Sequence, residues 1–432
     1  MSNTSSHPAL SQAQTKKPRT RLSRDAKLAV LLFFLGWVMS YADRQLITLA
    51  LPYIGEDLSL SPTQQGMLIS AFFVTYAIVQ IPGGMLVDRL GAKRTAVAGV
   101  LAWSVFTVAT GTAGSFAVML AVRALFGIGE GVYPAASVKA VAERTTSEQR
   151  MTATGWMYSS NAVGTIVAAV AGAALIGFIG WQGAFFVLGA VGVLVAVAIG
   201  VFLPKVRADS AAAIAVEEEA ASTIATKDLF RSAALWGHVA MFFGYGVVAW
   251  GMSAWVPSYL VSARGIPLGV VAAAAVIPVL AGGVASILGG RLVDRLGGRH
   301  RLIVVPGMLA CILVLAMMTQ ELPVPVFITL IGLLSFFSGM CYMPVFSSPV
   351  RGLPTGVVGT AYATISTGSQ VAGILTPTIM GVVVENVSWE AAFGVLIAGC
   401  VICLVAALLV PRGPEEFLAS FARRRKATAD AV

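Results

Sequence analysis

From end to end, the chain alternates between apolar stretches of about twenty residues and short polar breaks. A helix needs roughly 20 predominantly apolar residues to cross the hydrocarbon core of a bilayer. The pattern predicts twelve spans, at 29–53, 63–87, 95–114, 117–140, 152–178, 182–203, 233–261, 268–290, 302–319, 324–348, 357–384 and 389–410. The composition agrees, because 57% of the 432 residues are hydrophobic and only 11% are charged, against about 25% charged in soluble domains. The predicted fold class is all-α, a polytopic membrane protein of twelve transmembrane helices.

Charge sets the orientation, since Lys and Arg are retained in cytoplasmic loops. The first tail carries Lys16, Lys17, Arg19, Arg21, Arg24 and Lys27, the last carries Arg412 and Arg423 to Lys426, and every even-numbered span runs into a basic loop. Both termini are therefore expected in the cytoplasm, with Arg264 on the external side. The net charge of +9 is read as this bias, helped by attraction of the tails to anionic lipid. No nucleic-acid surface is expected, because no aromatics interleave with the basic runs. The first apolar stretch exceeds a signal-peptide core and is expected to be retained. Cys311, Cys341, Cys400 and Cys403 all fall in spans and are expected to pack there, not to form disulfides or a metal site. The external Asn386-Val387-Ser388 fits a glycosylation sequon in a loop too short to serve as an acceptor.

One charged hexapeptide, LVDRLG, occurs twice, at Leu86 to Gly91 and at Leu292 to Gly297, ending spans two and eight. Tyr158-x5-Gly164 likewise matches Tyr362-x5-Gly368, and Trp181-x3-Phe185 matches Trp389-x3-Phe393. Two six-span halves thus share one plan, which is a recurrent transporter architecture with its binding site near the midplane between the halves. The expected domains are a tail at 1–28, a six-helix bundle at 29–203, a linker at 204–231 containing Glu217 to Glu219, a second bundle at 232–411 and a tail at 412–432. Asp88 with Arg89, and Asp294 with Arg295, sit where helices leave the membrane. They are expected to gate, bridging to the neighbouring bundle in one conformation and releasing it in another.

Only Asp43, Arg44, Arg123 and Glu130 place an acid or an Arg/Lys charge deep in a span, all in the first half. Insertion of such a charge costs roughly 2.5–3.5 kcal/mol on translocon scales, and such residues face a bundle interior or a wet cavity. Adjacent helical residues point about 100° apart, so Asp43 and Arg44 should serve different partners; residues seven apart share a face, so Arg123 and Glu130 can line one cavity. Two readings follow. The four charges can brace spans one and four, Asp43 with Arg123 and Arg44 with Glu130, or they can serve an anion and protons. In the second, occupancy of an arginine by substrate alters the proton affinity of its acid partner.

Gly84-x3-Asp88-Arg89-x-Gly91-x-Lys93-Arg94 resembles the loop signature of the major facilitator superfamily, with a second copy from Gly290, and the likeness covers all twelve spans. Tyr41-Ala-Asp43-Arg44, the run from Arg123 through Glu130 to Tyr133-Pro134, and Trp255-Val-Pro257-Ser-Tyr259 with Arg264-Gly265 resemble its anion:cation symporter branch, which includes hexuronate, galactonate, glucarate and phthalate carriers. The resemblance implies two six-helix bundles, Arg44 on the substrate carboxylate, Glu130 carrying the coupled proton, Asp43 as a second protonation site and Arg123 paired with one of these acids. Gly127, Gly129 and Gly131 permit close helix approach, and with no preceding strand they are not a phosphate loop.

Remaining ligand contacts are expected from Tyr41, Tyr76, Asn161, Tyr245, Ser366 and Gln370, each of which could instead be satisfied by neighbouring helices. His238 is expected at the cytoplasmic interface, which leaves few cations for a dicarboxylate and favours a monocarboxylate such as a sugar acid, with Arg123 keeping the dicarboxylate open. The expected function is proton-coupled uptake of a small organic anion by a monomer in the bacterial inner membrane, without cofactor or metal. The alternative is a proton antiporter exporting drugs or metabolites. With no catalytic constellation of His, Cys and Ser, an enzyme is not expected.

Overall fold

A computed structural model describes residues 22–145, 147–204, 226–320, 322–353 and 355–429. The first tail up to residue 21 and the linker acids Glu217 to Glu219 lie outside the described residues, and within 204–231 a short helix, Thr226–Phe230, is seen.

Span one is Arg24–Asp57, which starts earlier than expected because Ser23 caps it by accepting from the Ala26 amide. Span two is Pro62–Leu90, opened by Pro62 and a reciprocal cap between Ser61 and Gln64. Span three is Ala92–Gly111, and span four is Phe116–Gly131 continued by Tyr133–Ala142. Span five begins with Ser147–Tyr158 and Ser160–Val167. It runs into Ala173–Phe202, where Gly180 at φ 75° turns the chain into span six. Span seven is Ala233–Ser258 with a wide turn at Tyr259–Ala263, and spans eight to twelve are Leu268–Arg295, Arg301–Met318, Val324–Gly352, Thr355–Asn386 and Trp389–Leu409. A terminal helix, Pro414–Ala429, follows.

Ten of these stretches are long and apolar enough to cross a membrane. One of them, Ala153–Phe202, is 50 residues long and passes twice. Ala92–Gly111, made less apolar by Lys93 and Arg94, completes the expected twelve. Large apolar side chains such as Phe178, Leu194, Ile81 and Leu409 stand exposed, as a lipid-facing surface requires.

The repeat seen in sequence is a repeat in packing. In the first half span one packs on five and six, two on four, and three on four and six; in the second, seven packs on eleven and twelve, eight on ten, and nine on ten and twelve. The hexapeptides end alike, since Gly91 (φ 84°) and Gly297 (φ 65°) both turn the chain through backbone that only glycine adopts without strain.

Between the halves, span two packs on eleven, five on eight and one on seven. The contact of spans two and eleven lies at the end away from the termini. There Thr378 donates to Ser70 (2.8 Å), the Thr63 amide donates to Glu385 (3.1 Å), and Phe73 packs edge-on against Trp250 of span seven (4.6 Å). Away from that contact, Tyr158 and Tyr362 are exposed.

Gly66 makes this closure possible, for a Cβ there would collide with the Pro377 carbonyl and lie 2.9 Å from the Thr378 Cα. Overpacking costs about 1–3 kcal/mol, so Gly66→Val should part the two helices. A cysteine placed at Ser70 should then react with a membrane-impermeant maleimide at least tenfold faster (the ~1.4 kcal/mol per decade of an equilibrium) than in the glycine background. Equal rates would mean that the helices absorb the methyls without opening.

Candidate functional site

The four intramembrane charges form two ion pairs that tie span one to span four. Because Asp43 and Arg44 point in different directions around their helix, each reaches its own partner. Arg123 donates from Nη1 to Oδ1 of Asp43 at 2.9 Å, and the Thr107 hydroxyl of span three donates to Oδ2 at 2.5 Å. Arg44 donates to Oε1 of Glu130 from Nε at 3.0 Å and from Nη2 at 2.7 Å, and the Ser40 hydroxyl donates to the same oxygen. This is the pairing expected if the charges brace the two spans.

The two pairs differ in access. Asp43 and Arg123 are 2% and 1% exposed, while Arg44 keeps 12% of its side chain open beside a wholly buried Glu130. Arg44 lies within an aromatic cage, its guanidinium carbon 4.8 Å from the ring centres of Phe72 and Tyr76 and 5.4 Å from that of Tyr41. Rings attract a cation through their negative faces without consuming its N–H groups. Glu130 Oε2 has no hydrogen-bond partner among the described residues, so the carboxylate holds unused capacity. Its placement depends on its glycine neighbours. A Cβ at Gly127 would press on the span-two backbone at Phe72 and Tyr76, and one at Gly129 on Trp103 of span three.

Asp43→Ala would leave Arg123 buried without its counter-charge. Removing one partner of a buried pair costs about 3–5 kcal/mol, so a clear fall in Tm is expected in detergent solution. An unchanged Tm would mean that Arg123 finds water instead.

Among the candidate ligand contacts, Tyr41 stacks on Trp37 at 5.5 Å and interacts with the exposed Asn161. Tyr76 is buried beneath Arg44. Tyr245 joins Phe242 (5.4 Å) and Tyr342 (5.5 Å) in an aromatic cluster of the second half. Gln370 carries an oxygen without a partner among the described residues, whereas the Ser366 hydroxyl donates back to the Tyr362 carbonyl (2.8 Å) of its own helix.

His238 stands in the second turn of span seven. It is fully buried, bonded through Nδ1 to the Ala234 carbonyl (2.8 Å), with His300 at 5.5 Å and Phe417 of the terminal helix at 5.3 Å. The terminal helix covers it, which hydropathy of the span could not foretell. Burial, His238 and Arg301 push the imidazole of His300 down to about 3, so it carries no charge near neutrality. The hexapeptide acids pair within their own halves, Asp88 with Lys139 and Asp294 with Arg351, both at 2.6 Å. Arg89 and Arg295 are exposed. All four cysteines are buried and free.

Sequence reasoning missed Ser40, Phe72 and Thr107, whose types carry no signal apart from their neighbours. It also missed the ring contacts of Tyr158 with Trp37 and of Tyr362 with Phe346, although the repeat had singled out Tyr158 and Tyr362.

Comparison with known proteins agrees with this architecture. Residues 33–377 match the Major Facilitator Superfamily. The chain is 31% identical over 373 residues to "Probable sulfoacetate transporter SauU" of Cupriavidus necator, covering 82% of this chain and 86% of that protein. It is 28% identical to "Probable L-galactonate transporter" of Escherichia coli (88% of each chain) and 28% identical to "Hexuronate transporter" of Bacillus subtilis (87% of this chain and 92% of that protein). Its fold matches the inward-facing crystal structure of a bacterial homologue of the human lysosomal transporter Spinster, at a TM-score of 0.71 and 17% identity over 93% of this chain and 98% of that one. Twelve passes in two matching six-helix halves, a repeated loop signature and a family match over most of its length make this chain a membrane transporter, not an enzyme, that belongs to the major facilitator superfamily.

Proposed function

We propose that the protein imports an organic anion together with protons by alternating access. The observation that carries this reading is the Arg44–Glu130 pair, in which a partly open guanidinium is held by a buried carboxylate with a spare oxygen. An anion arriving at Arg44 competes with Glu130 for the same N–H groups. Once Arg44 turns to the substrate, Glu130 is left as a buried carboxylate without its counter-charge, a costly state that a proton relieves. Anion binding and proton uptake therefore favour one another, and by linkage the effect is reciprocal. The names of relatives, which carry sulfoacetate, galactonate and hexuronate, support an organic anion as cargo.

In this scheme 29–203 and 232–411 rock as monomeric halves in the bacterial inner membrane, with both tails cytoplasmic by their positive charge. The closed contact of spans two and eleven faces outward, so the open cavity faces the cytoplasm. Asp43, sealed with Arg123, serves as the second acid. Asp88 and Asp294, each holding a cation of its own half, are free to exchange partners when the cytoplasmic end closes.

The decisive experiment uses purified protein in liposomes with an acidic exterior and labelled galactonate, sulfoacetate and a hexuronate. Concentrative uptake abolished by a protonophore is expected for at least one of them. Expulsion under the same gradient would instead identify an antiporter.

Asp88→Asn tests the gate. Its carboxylate is 74% exposed and exposed ion pairs contribute little to stability, so Tm should hold. Transport should fall at least tenfold (~1.4 kcal/mol in the barrier) while affinity stays within about twofold (~0.4 kcal/mol). Wild-type exchange rates would remove Asp88 from the gate.

A further inference from the structure

His238 and His300 have no part in the ion pairs or the gate, yet both imidazoles are fully buried beneath the terminal helix. Their ring centres lie 5.5 Å apart, and Phe417 of Pro414–Ala429 stands edge-on to His238 at 5.3 Å. Nδ1 of His238 pairs with the Ala234 carbonyl (2.8 Å), so the ring proton sits there, because a carbonyl only accepts. Nδ1 of His300 pairs with the Ser348 hydroxyl of span ten (3.2 Å). Nε2 of each ring has no hydrogen-bond partner among the described residues. Arg301, whose guanidinium donates to the Ala407 and Val410 carbonyls, is the one charged side chain among the described residues that acts on the pair, and it acts on His300. Asp294 and Arg351 of the gate, Glu415 and Glu416 in the first turn of the terminal helix and Asp228 ahead of span seven form no ion pair with either ring.

The start of the same helix is packed into the second gate. Gly298 follows the repeated hexapeptide directly, and a Cβ there would lie 2.7 Å from the Pro414 ring; a Cβ at Gly352 would lie 2.8 Å from the Pro414 carbonyl. The Ser347 hydroxyl donates to the Gly298 carbonyl (3.1 Å), and Arg351 donates to Asp294 (2.6 Å). Pro414 and the loop after Asp294 therefore pack as one unit, with Phe417 and the two imidazoles one helical turn further on. Isolated helices of about this length are marginal in water, so the terminal helix depends on this docking.

We propose that the terminal helix is an acid-sensitive prop, docked over His238 and His300 while both rings are neutral and released when they take protons, which frees the loop of the second gate. A proton arriving at Nε2 creates an N–H with no acceptor and a charge with no acid beside it, and a buried charge of that kind is costly. Departure of Phe417 lets water reach the rings, and a solvated histidine accepts its proton near pH ~6.5. In the docked state burial, His238 and Arg301 hold His300 down to about 3. The docked state thus binds fewer protons than the released one, so docking is fully stable above about pH 6.5 and weakens as the pH falls below it. With the terminal helix in the cytoplasm, as the orientation proposed above has it, the prop responds to the acid that proton-coupled uptake brings in.

The test is amide hydrogen exchange on the purified full-length protein in detergent, corrected for the pH dependence of intrinsic exchange; it needs no substrate, so its result stands apart from the transport reading. From about pH 7.5 to about pH 5.5 each imidazole should lower the protection of 415–421 roughly tenfold, about a hundredfold together, given a released-state value near 6.5. His238→Asn and His300→Asn, whose amides can keep the Nδ1 contacts but take no proton, should each abolish about half of that dependence on a logarithmic scale, and the double variant all of it. Residues 292–300 should lose protection in step with the helix. Phe417→Ala should lower the protection of 415–421 at least tenfold (~1.4 kcal/mol) already at neutral pH. Constant protection where spans two and eleven meet certifies that each sample is folded, and the parent's own pH profile tests the proposal even where a variant does not fold. Protection independent of pH in the parent would overturn the proposal, and so would pH dependence that survives in the double variant, which would move the sensor to Glu415 or Glu416. Release of the helix with 292–300 unchanged would overturn its role as a prop for the gate, and parental protection in Phe417→Ala would overturn docking through that ring.

Discussion

Replacing Arg44 by lysine is expected to weaken substrate binding about a hundredfold although the positive charge is kept. Arg44 is held in place by donating two of its own N–H groups to Glu130 and by the faces of Tyr41, Phe72 and Tyr76. A planar guanidinium can stay in that cage and still present a two-pronged edge to a carboxylate; an ammonium is a more strongly hydrated point charge on a flexible stem. Losing one charge-assisted hydrogen bond costs about 1.5–3 kcal/mol, and a weakened cation–ring contact about 0.5–1 kcal/mol. Together these approach 3 kcal/mol, or two decades in Kd at about 1.4 kcal/mol per decade. Titration calorimetry on the purified variant reads the change. Wild-type affinity would mean that Arg44 only braces span one against span four, and Arg123 would become the anion site.

Glu130→Gln should separate binding from coupling. The amide mimics the protonated acid in shape and charge, and its carbonyl can still accept from Arg44 and Ser40, so the pocket should keep its geometry. Substrate-for-substrate exchange cycles only the loaded, protonated carrier and should persist near the wild-type rate. Net accumulation requires the empty carrier to return without its proton, a step an amide cannot perform. Uptake driven by a pH gradient should therefore fall to the level of protein-free liposomes, while counterflow remains. Persistent accumulation would transfer coupling to Asp43. Loss of both activities in a folded variant would make Glu130 a structural partner of Arg44.

The two outcomes together distinguish bracing from function, which the pairing pattern alone does not. A brace tolerates any substitution that keeps the helices joined. A carrier site must release its internal contact each time a ligand arrives, so a pair that is too stable is as damaging as one that is absent. The difference in exposure between the two ion pairs fits a division of labour, with Asp43 and Arg123 sealed and Arg44 at the edge of the cavity.

Features that depend on local spacing are legible in the chain itself. Runs of about twenty apolar residues fix the number of passes because the bilayer has one thickness. The repeated LVDRLG marks equivalent helix ends, and Gly91 and Gly297 do turn there. The angle between Asp43 and Arg44 separates their partners by arithmetic, since helix rotation per residue is constant. Features that depend on how helices are rotated and crossed relative to one another emerge only in three dimensions. Thr107 and Ser40 complete the two carboxylate sites, His238 lies under the terminal helix, and Asp88 and Asp294 hold cations of their own halves. The physical reason is that apolar run length and helical period are properties of a single segment, whereas a hydrogen bond between helices depends on the approach of two backbones, set here by packing at positions such as Gly66 and Gly127 that carry no charge of their own.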